Sequence, residues 1–295
     1  MMKTKKKIAF VDIDGTLSNR AMPELMLKVI EGNKMEFRGI GSEEDLKRNL
    51  AAQILSMRRG RLEDLRQEYK RDKTDESFGL YSQELTEFLM YRLQRYSGRE
   101  VRKIAREAIQ QVNLEFYQFS RTLIDVLKDK KFEIVAISGS PQFLVDEFVS
   151  VFGFSGGIGQ KFELDIEDFV YKAVPPFTYT DKHLLIEKYI SENFPDEDIS
   201  NFQIVVAGDT AGDLSMMRLA SAIFAINPNE GLIRGLCEGG LDNAFVIAVR
   251  KNWTLLSNFE KKTPIKNGEI ELKNSKILLD GEACERAIRS TLEGI

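Results

Sequence analysis

The sequence contains little of what marks a secreted, membrane-embedded or nucleic-acid-binding protein. Among its 295 residues only Cys237 and Cys284 are cysteines, too few and too far apart for a disulfide framework or a zinc cluster. No apolar run approaches the roughly 20 residues that a membrane span requires. The N-terminus lacks the apolar core of a signal peptide, and the net charge of −4 gives no basic excess. We therefore expect a cytoplasmic protein without nucleic-acid or membrane partners.

The composition, 43% hydrophobic and 30% charged, is typical of a globular protein that can bury a large core. Five short apolar runs predict buried strands, at 8–11, 134–137, 204–207, 222–226 and 245–249. Helical patterns lie between the later runs, at 142–152, 182–193, 213–220 and 230–238. This alternation predicts an α/β fold with a Rossmann-like, doubly wound parallel sheet. Reactive groups in such sheets gather at the carboxyl ends of the strands.

The stretch between the first two runs differs in composition. It is rich in Arg, Lys, Glu, Leu and Gln and has apolar residues at helical spacing, as at Ile104, Ala108 and Val112. We predict a mostly helical domain over 18–118, with breaks at Gly98 and 72–75, inserted into a core domain formed by 1–17 and 119–295. Further expected elements are small strands at 158–164 and 169–174, and a hairpin and a helix within 251–295, a segment to which the sequence assigns no role.

The first strand ends in a pair of carboxylates, Asp12 and Asp14, followed by Gly15. Acids at i and i+2 can divide phosphoryl transfer between a nucleophile and a proton donor. Gly15 permits the sharp turn away from the sheet that such a strand end needs. The same pattern also begins a calcium-binding loop, but the continuation 16–20 lacks the later glutamate and a strand precedes it.

The second strand ends in Ser138, Gly139 and Ser140. A hydroxyl and exposed backbone N–H groups at a strand-to-helix turn form a cradle for an anion. The alternative is structural, because Ser140 is also well placed to cap the helix that begins near Pro141.

Two further groups complete the set. Lys182 begins a helix and can neutralise a phosphate, although an isolated lysine there is more often on the surface, and Lys172 and Lys188 compete for the role. Asp209 and Asp213 flank a strand-to-helix loop and can bind a hard cation. Asp213 can equally be an ordinary acid in the first turn of a helix. The single histidine, His183, is predicted to be a helix residue without a catalytic role.

In this order the motifs resemble those of the haloacid dehalogenase superfamily of phosphohydrolases. The matching segments are 11–17, 136–140, Lys182 and 208–214, and the resemblance covers about 5–34 and 119–250. It implies that Asp12 forms an aspartyl-phosphate and that Asp14 acts as general acid and then as general base. Asp14 also favours ester hydrolysis over dehalogenation, because a departing halide needs no proton donor.

The resemblance further implies a magnesium site and a phosphate site. Magnesium would be bound by Asp12, the backbone carbonyl of Asp14 and Asp209, with Asp213 in or near its shell. The phosphoryl group would be held by Ser138, Gly139 and Lys182. Magnesium prefers carboxylate oxygens together with water and phosphate, so these residues suit the metal chemically.

The helical insertion resembles the C1-type cap of the phosphoserine phosphatase-like branch, subfamily IB. The sequence departs from that branch at Ala21, where a glutamate would hold the amino group of phosphoserine, and at Gly212, where asparagine is usual. Glu24, one helical turn after Ala21, is a substitute for that glutamate only by conjecture. Phosphoserine is therefore disfavoured, and we expect another small phosphorylated metabolite. Arginines of the insertion either meet an anionic substrate or form solvated helix faces: Arg38, Arg48, Arg58, Arg59 and Arg61.

Two alternatives to a phosphatase remain open at this stage. A phosphotransferase would pass the phosphoryl group from Asp12 to an acceptor other than water. A non-catalytic protein that binds phosphate or a partner would keep the fold, but every expected catalytic position is filled. The sequence does not predict the oligomeric state.

Overall fold

The computed structural model describes residues 5–18, 20–32, 42–72, 75–93, 96–112, 116–164, 170–173, 181–241, 244–247, 269–272, 275–278 and 281–293. Within these ranges no helix combines the length and the apolar character that crossing a membrane requires.

Parallel strands organise the described residues into one large sheet. The strands are β1 (Lys6–Val11), β2 (Glu133–Pro141), β3 (Gly156–Gln160), β4 (Phe162–Leu164), β5 (Val170–Ala173), β6 (Phe202–Gly208), β7 (Ala222–Ile226), β8 (Ala244–Ile247), β9 (Glu269–Leu272) and β10 (Ser275–Leu278). The eight-stranded sheet has the order β3-β2-β1-β6-β7-β8-β10-β9, and β4 pairs with β5 separately. Every neighbouring pair in the large sheet is parallel except β10 with β9 at its edge.

The five predicted strands are confirmed as β1, β2, β6, β7 and β8, within the described residues. The strand predicted at 158–164 is wrong as a single element. Its first part belongs to β3, which pairs with β2 and extends the large sheet, and its last part is β4 in the small hairpin. The sequence pattern did not predict the full extent of β3, because glycine is depleted in strands and the strand contains Gly156, Gly157 and Gly159.

Ten helices are described, and four of them occupy the predicted insertion. They are α1 (Met22–Gly32), α2 (Ser42–Asp72), α3 (Asp75–Leu93), α4 (Gly98–Val112), α5 (Gln118–Asp129), α6 (Gln142–Phe152), α7 (Lys182–Asn193), α8 (Leu214–Met217), α9 (Glu230–Glu238) and α10 (Gly281–Glu293). The breaks expected at 72–75 and Gly98 separate α2, α3 and α4. The helix expected at 213–220 is shorter, a 3-10 turn at Ala211–Asp213 followed by α8. The division into two domains at 18 and 118 stays a prediction.

Both faces of the sheet are covered, as the predicted doubly wound fold requires. Alternate residues of β1 point to opposite faces. Ala9 and Val11 join a core that includes α1, α4 and α5, with Met26, Ile104 and Leu123. Ile8 and Phe10 join the other core, with α7, α8 and α9 represented by Ile186, Met216 and Leu232. The central strand therefore anchors both layers.

Glycine at position 157 allows α6 to pack closely on the edge strand β3. A Cβ atom there would lie 2.5 Å from Cγ1 of Val145 and 2.7 Å from Cγ2 of Val149, both on α6. We expect Gly157→Ala to lower the free energy of unfolding by about 1–3 kcal/mol, the usual range for overpacking a filled core. Denaturant titration at an unchanged m-value measures the loss.

Gly60→Ala is the matched control, since it adds the same methyl group where nothing lies within 4 Å. This glycine is exposed within α2, so alanine should raise the free energy of unfolding by about 0.5–1 kcal/mol. Equal effects of the two substitutions would contradict the packing explanation.

Candidate active site

Three neighbouring strands bring the predicted residues to one edge of the sheet. β1 lies between β2 and β6, and all three are parallel, so their carboxyl ends meet there. Asp12 and Asp14 follow β1, Asp209 follows β6, and Ser138 lies near the end of β2. The backbone N–H of Asp12 donates to the carbonyl of Ala207 at 2.9 Å, which ties the ends of β1 and β6 together.

A buried lysine holds two of the carboxylates. Lys182 Nζ lies 2.9 Å from Oδ1 of Asp12 and 2.6 Å from Oδ1 of Asp213, and its side chain is 2% exposed. The surface alternative for this lysine is therefore wrong. Burial alone would lower the pKa of Lys182, but Asp12 and Asp213 outweigh it and raise the pKa above its usual value. The lysine is thus a fixed positive charge in the site.

Thr16 is a site residue to which the sequence pattern assigned no role. Its hydroxyl lies 3.1 Å from Oδ2 of Asp12 and 3.1 Å from Oδ1 of Asp209. The carbonyl of Thr16 accepts a hydrogen bond from the hydroxyl of Ser120 at 3.3 Å, which fixes the turn against α5. The spacing of the turn 12–16 could have indicated this role, because the hydroxyl of a residue four positions after Asp12 can reach its carboxylate.

Two glycines allow the loops of this cluster to approach each other. Gly15 has φ +91°, and a Cβ atom on it would lie 2.2 Å from Oδ2 of Asp209. A Cβ atom on Gly208 would lie 2.5 Å from Cγ of Asp213. Any side chain at these positions would displace a carboxylate. The arrangement of the acids therefore requires glycine at both positions.

Asp12, Asp209 and Asp213 form a group that suits a metal ion. Each offers one carboxylate oxygen, and these oxygens all lie within 4.8 Å of one another. Burial, followed by repulsion from Asp213 and Asp14, raises the pKa of Asp12 to about 7, although Lys182 opposes the rise. Burial and the charges of Asp12 and Asp213 raise the pKa of Asp209 well above its usual value. One lysine does not balance these acids, and a divalent cation with oxygen ligands fits the excess charge.

The two metal-ligand candidates from β6 have different surroundings. Oδ2 of Asp213 accepts from the backbone N–H groups of Asp209 and Thr210, each at 3.0 Å, and from the hydroxyl of Thr210 at 3.2 Å. Its Oδ1 accepts from Lys182. Asp213 therefore positions the loop and the lysine, and its oxygens are largely engaged. Asp209 accepts only the hydroxyl of Thr16 among the hydrogen bonds seen for its carboxylate in the described residues.

Asp14 is held by a separate set of donors. Its Oδ1 accepts from the backbone N–H of Met22 at 2.7 Å, at the start of α1. Its Oδ2 accepts from the hydroxyls of Ser138 at 2.9 Å and Ser140 at 2.6 Å. Burial raises the pKa of Asp14, while the hydrogen bonds from Ser140, Met22 and Ser138 partly oppose the rise. The nucleophile and acid positions predicted from the sequence are thus electrostatically distinct.

The second motif differs from its prediction in one respect. The hydroxyl of Ser140 donates to Asp14 and does not cap α6, whose N-cap is Pro141 without a side-chain hydrogen bond. The capping alternative is therefore wrong. The hydroxyl of Ser138, expected on a phosphate, also donates to Asp14 and accepts from the N–H of Ser140 at 3.0 Å. Gly139 lies half-buried between them.

Glu24 and the arginines of the insertion are engaged in contacts between helices. Glu24 accepts a short hydrogen bond from the hydroxyl of Tyr81 and lies 3.4 Å from Arg66. Burial and then Glu24 raise the pKa of Tyr81 above its usual value. Three of the arginines named above pair with glutamates of α1 or α3: Arg58 with Glu84 and Glu87, Arg59 with Glu31, and Arg61 with Glu84. Arg38 and the side chain of Arg48 lie outside the described residues.

His183 lies in α7, as expected. Its backbone N–H donates to the hydroxyl of Ser215 at 3.4 Å. Its Nδ1 atom is buried and has no hydrogen-bond partner among the described residues.

The fold and the cluster define an α/β enzyme with reactive groups at the carboxyl ends of parallel strands. The haloacid dehalogenase-like hydrolase family matches residues 9–218, more than half of the chain. The chain therefore belongs to that family of hydrolases, as its motifs indicated.

Three solved structures match the chain at low sequence identity. A protein of unknown function from Bordetella pertussis Tohama I has 16% identity and a TM-score of 0.58, over 80% of this chain and 97% of its own. A HAD-family hydrolase from Salmonella enterica serovar Typhi has 13% identity and a TM-score of 0.51, over 78% and 66%. A phosphoserine phosphatase with an analogue of its phospho-aspartyl intermediate has 16% identity and a TM-score of 0.48, over 78% and 91%. No curated protein matches the sequence significantly.

Protons and a cation should compete for the carboxylate cluster. The pKa of Asp12 rises from 3.8 to about 7 on folding, so the folded state binds more protons between these values. Without a cation, the contribution of Asp12 to the free energy of unfolding therefore falls as pH rises through this window. Mg²⁺ should stabilise the protein by about 2.7 kcal/mol at about 100 times its dissociation constant.

Thermal unfolding with and without Mg²⁺ checks this linkage. The midpoint should rise more on adding Mg²⁺ at about pH 8 than at about pH 5.5, because the ligands must lose their protons. An equal rise at both values would contradict the assignment of the cation to these acids.

The two acids after β6 should differ in their effect on the cation. Asp209→Asn should weaken the binding of Mg²⁺ more than Asp213→Asn, as measured by calorimetric titration, because Asp213 already accepts four hydrogen bonds. Asp213→Asn should instead lower the free energy of unfolding by on the order of 3 kcal/mol, since it removes one partner of a buried lysine. The reverse ranking for Mg²⁺ would make Asp213 the stronger ligand.

Proposed function

We propose that this protein is a Mg²⁺-dependent phosphatase that hydrolyses a small phosphomonoester through an aspartyl-phosphate on Asp12. One observation carries the proposal: Asp12 lies 2.9 Å from the buried Lys182, whereas Asp14 is held apart by Met22, Ser138 and Ser140. Two acids in different surroundings suit two tasks, one as nucleophile and one as proton carrier.

The residues support a two-step reaction. A carboxylate oxygen of Asp12 attacks phosphorus, the bond from phosphorus to the ester oxygen breaks, and Asp14 gives its proton to that oxygen. Asp14 then takes a proton from water, whose oxygen attacks phosphorus, and the bond to Asp12 breaks to release phosphate. The raised pKa of Asp14, caused mainly by burial, favours the protonated form that the first step needs.

The charge of the transferring group requires compensation in both steps. Lys182 supplies a buried positive charge beside the carboxylate of Asp12. We assign Ser138 and the backbone of Gly139 to the phosphoryl oxygens, with the Ser138 hydroxyl turning from Asp14 when substrate binds. Mg²⁺, bound through Asp12, the carbonyl of Asp14 and Asp209, would neutralise the charge that develops on the phosphoryl group.

The insertion and the contacts of Glu24 indicate the class of substrate. We assign 18–118 to a cap that closes over the sheet edge and keeps water out. Glu24, the conjectured partner for an amino group, already accepts from Tyr81 and lies beside Arg66. These contacts disfavour phosphoserine and favour another small phosphorylated metabolite. We also propose a cytoplasmic location.

The nucleophile is tested by Asp12→Asn, which keeps the size of the side chain and removes its charge. We expect the release of phosphate from phenyl phosphate to fall at least about 10³-fold, because covalent catalysis loses its attacking group. Chelation of the metal by EDTA should abolish wild-type activity. Acid quenching and mass spectrometry should detect one phosphoryl group on the Asp12 peptide of the wild type only.

Asp196→Asn is the matched control, since it makes the same change at an exposed position away from the site. Full activity in Asp12→Asn, or turnover in EDTA, would contradict the mechanism. If the labelled intermediate forms but an added alcohol accepts the phosphoryl group in preference to water, the protein is a phosphotransferase instead. No activity on a broad panel of phosphate esters would favour a binding role.

A further inference from the structure

The end of β2 presents two hydroxyls to one carboxylate oxygen. Ser138 and Ser140 are separated by one residue near the end of β2, where the pairing with β3 shifts register, and their hydroxyls point to the same side. Both hydroxyls reach Oδ2 of Asp14, at 2.9 Å and 2.6 Å. The second contact is the shorter one, and Ser140 is 2% exposed.

We propose that Ser140 is the positioning residue of Asp14, fixing the carboxyl group for proton transfer while Ser138 serves the phosphoryl group. This inference rests on the proposed function. The hydrogen bonds of the two serines support it. The hydroxyl oxygen of Ser138 already accepts from the N–H of Ser140, and this hydroxyl has only one proton to donate. When that proton turns to a phosphoryl oxygen, Ser140 remains the side-chain donor on Oδ2 of Asp14.

The surroundings fix Ser140 in place. The edge strand β3 approaches so closely that a Cβ atom on Gly159 would lie 2.8 Å from the carbonyl oxygen of Ser140. Gln142, the first residue of α6, accepts from the N–H of Gly159 at 2.7 Å and so ties β3 to the turn after Ser140. With Met22 donating to Oδ1, both oxygens of Asp14 then have a fixed donor while substrate is bound.

A group that acts through the general acid has a recognisable kinetic effect. Phenyl phosphate releases a poor leaving group that needs a proton, whereas 2,4-dinitrophenyl phosphate releases a stable anion that does not. Loss of proton donation therefore slows the first substrate much more than the second. A loss of phosphate binding or of folding slows both alike.

The test is Ser140→Ala with both substrates and saturating Mg²⁺. We expect kcat/KM on phenyl phosphate, which reports formation of the aspartyl-phosphate, to fall about 10- to 100-fold, and this loss to be at least about tenfold greater than the loss of kcat/KM on 2,4-dinitrophenyl phosphate. Ser138→Ala is the matched control, because it removes the same hydroxyl two residues earlier and should slow both substrates and raise KM. Equal losses of kcat/KM on the two substrates in Ser140→Ala, or no loss, would overturn the inference.

A double-mutant cycle tests whether the effect runs through Asp14. In an Asp14→Asn background, Ser140→Ala should have no further effect on phenyl phosphate, since no acid is left to position. A full additional loss would assign Ser140 a role apart from Asp14. A wild type that hydrolyses neither substrate would refute the phosphatase itself, whereas an active wild type with equal Ser140→Ala losses would refute only this inference.

Discussion

The ion pairs of Lys182 with Asp12 and Asp213 are the interaction on which the rest of the site depends. An ammonium group that is 2% exposed would be strongly destabilising without partners. Asp12 directly follows β1, Asp213 lies in the 3-10 turn that follows β6, and the lysine itself begins α7. The charge can therefore be buried only when all three elements are in their final positions. Removing one partner leaves an uncompensated buried charge. This lowers the free energy of unfolding more than replacing the whole ion pair by apolar residues would.

That requirement explains why the loops at this edge contain glycine and backbone donors. Gly15 and Gly208 leave room for the carboxylates of Asp209 and Asp213. The N–H groups of Asp209 and Thr210 then hold Asp213 in the orientation that meets the lysine. Local backbone geometry and long-range charge pairing support each other here, which is typical of sites held rigidly for chemistry.

The sequence was most informative where local pattern and chemistry coincide. Short apolar runs that end in acids or glycine predicted the central strands and the carboxylates after them. β3 was missed as part of the large sheet because two of its glycines, Gly157 and Gly159, are required by close packing against α6, which no local pattern reveals. The contact of Ser140 with Asp14 was not predicted, because capping was a sufficient local alternative for Ser140 and Asp14 lies 126 residues away in sequence. The paired state of Glu24 depended likewise on Tyr81, a residue of another helix.

The separation of the two acids after β1 follows from strand geometry and from what surrounds each one. Asp12 meets charged groups, Lys182 and the other acids, so its state depends on the balance of charge and on a cation. Asp14 meets hydrogen-bond donors that carry no charge, one of them the N–H of Met22 at the start of the insertion. Movement of α1 would therefore alter the surroundings of Asp14 while leaving the contact of Asp12 with Lys182 intact. In the proposed mechanism, proton transfer, more than nucleophilic attack, is thus the step that α1 is placed to influence.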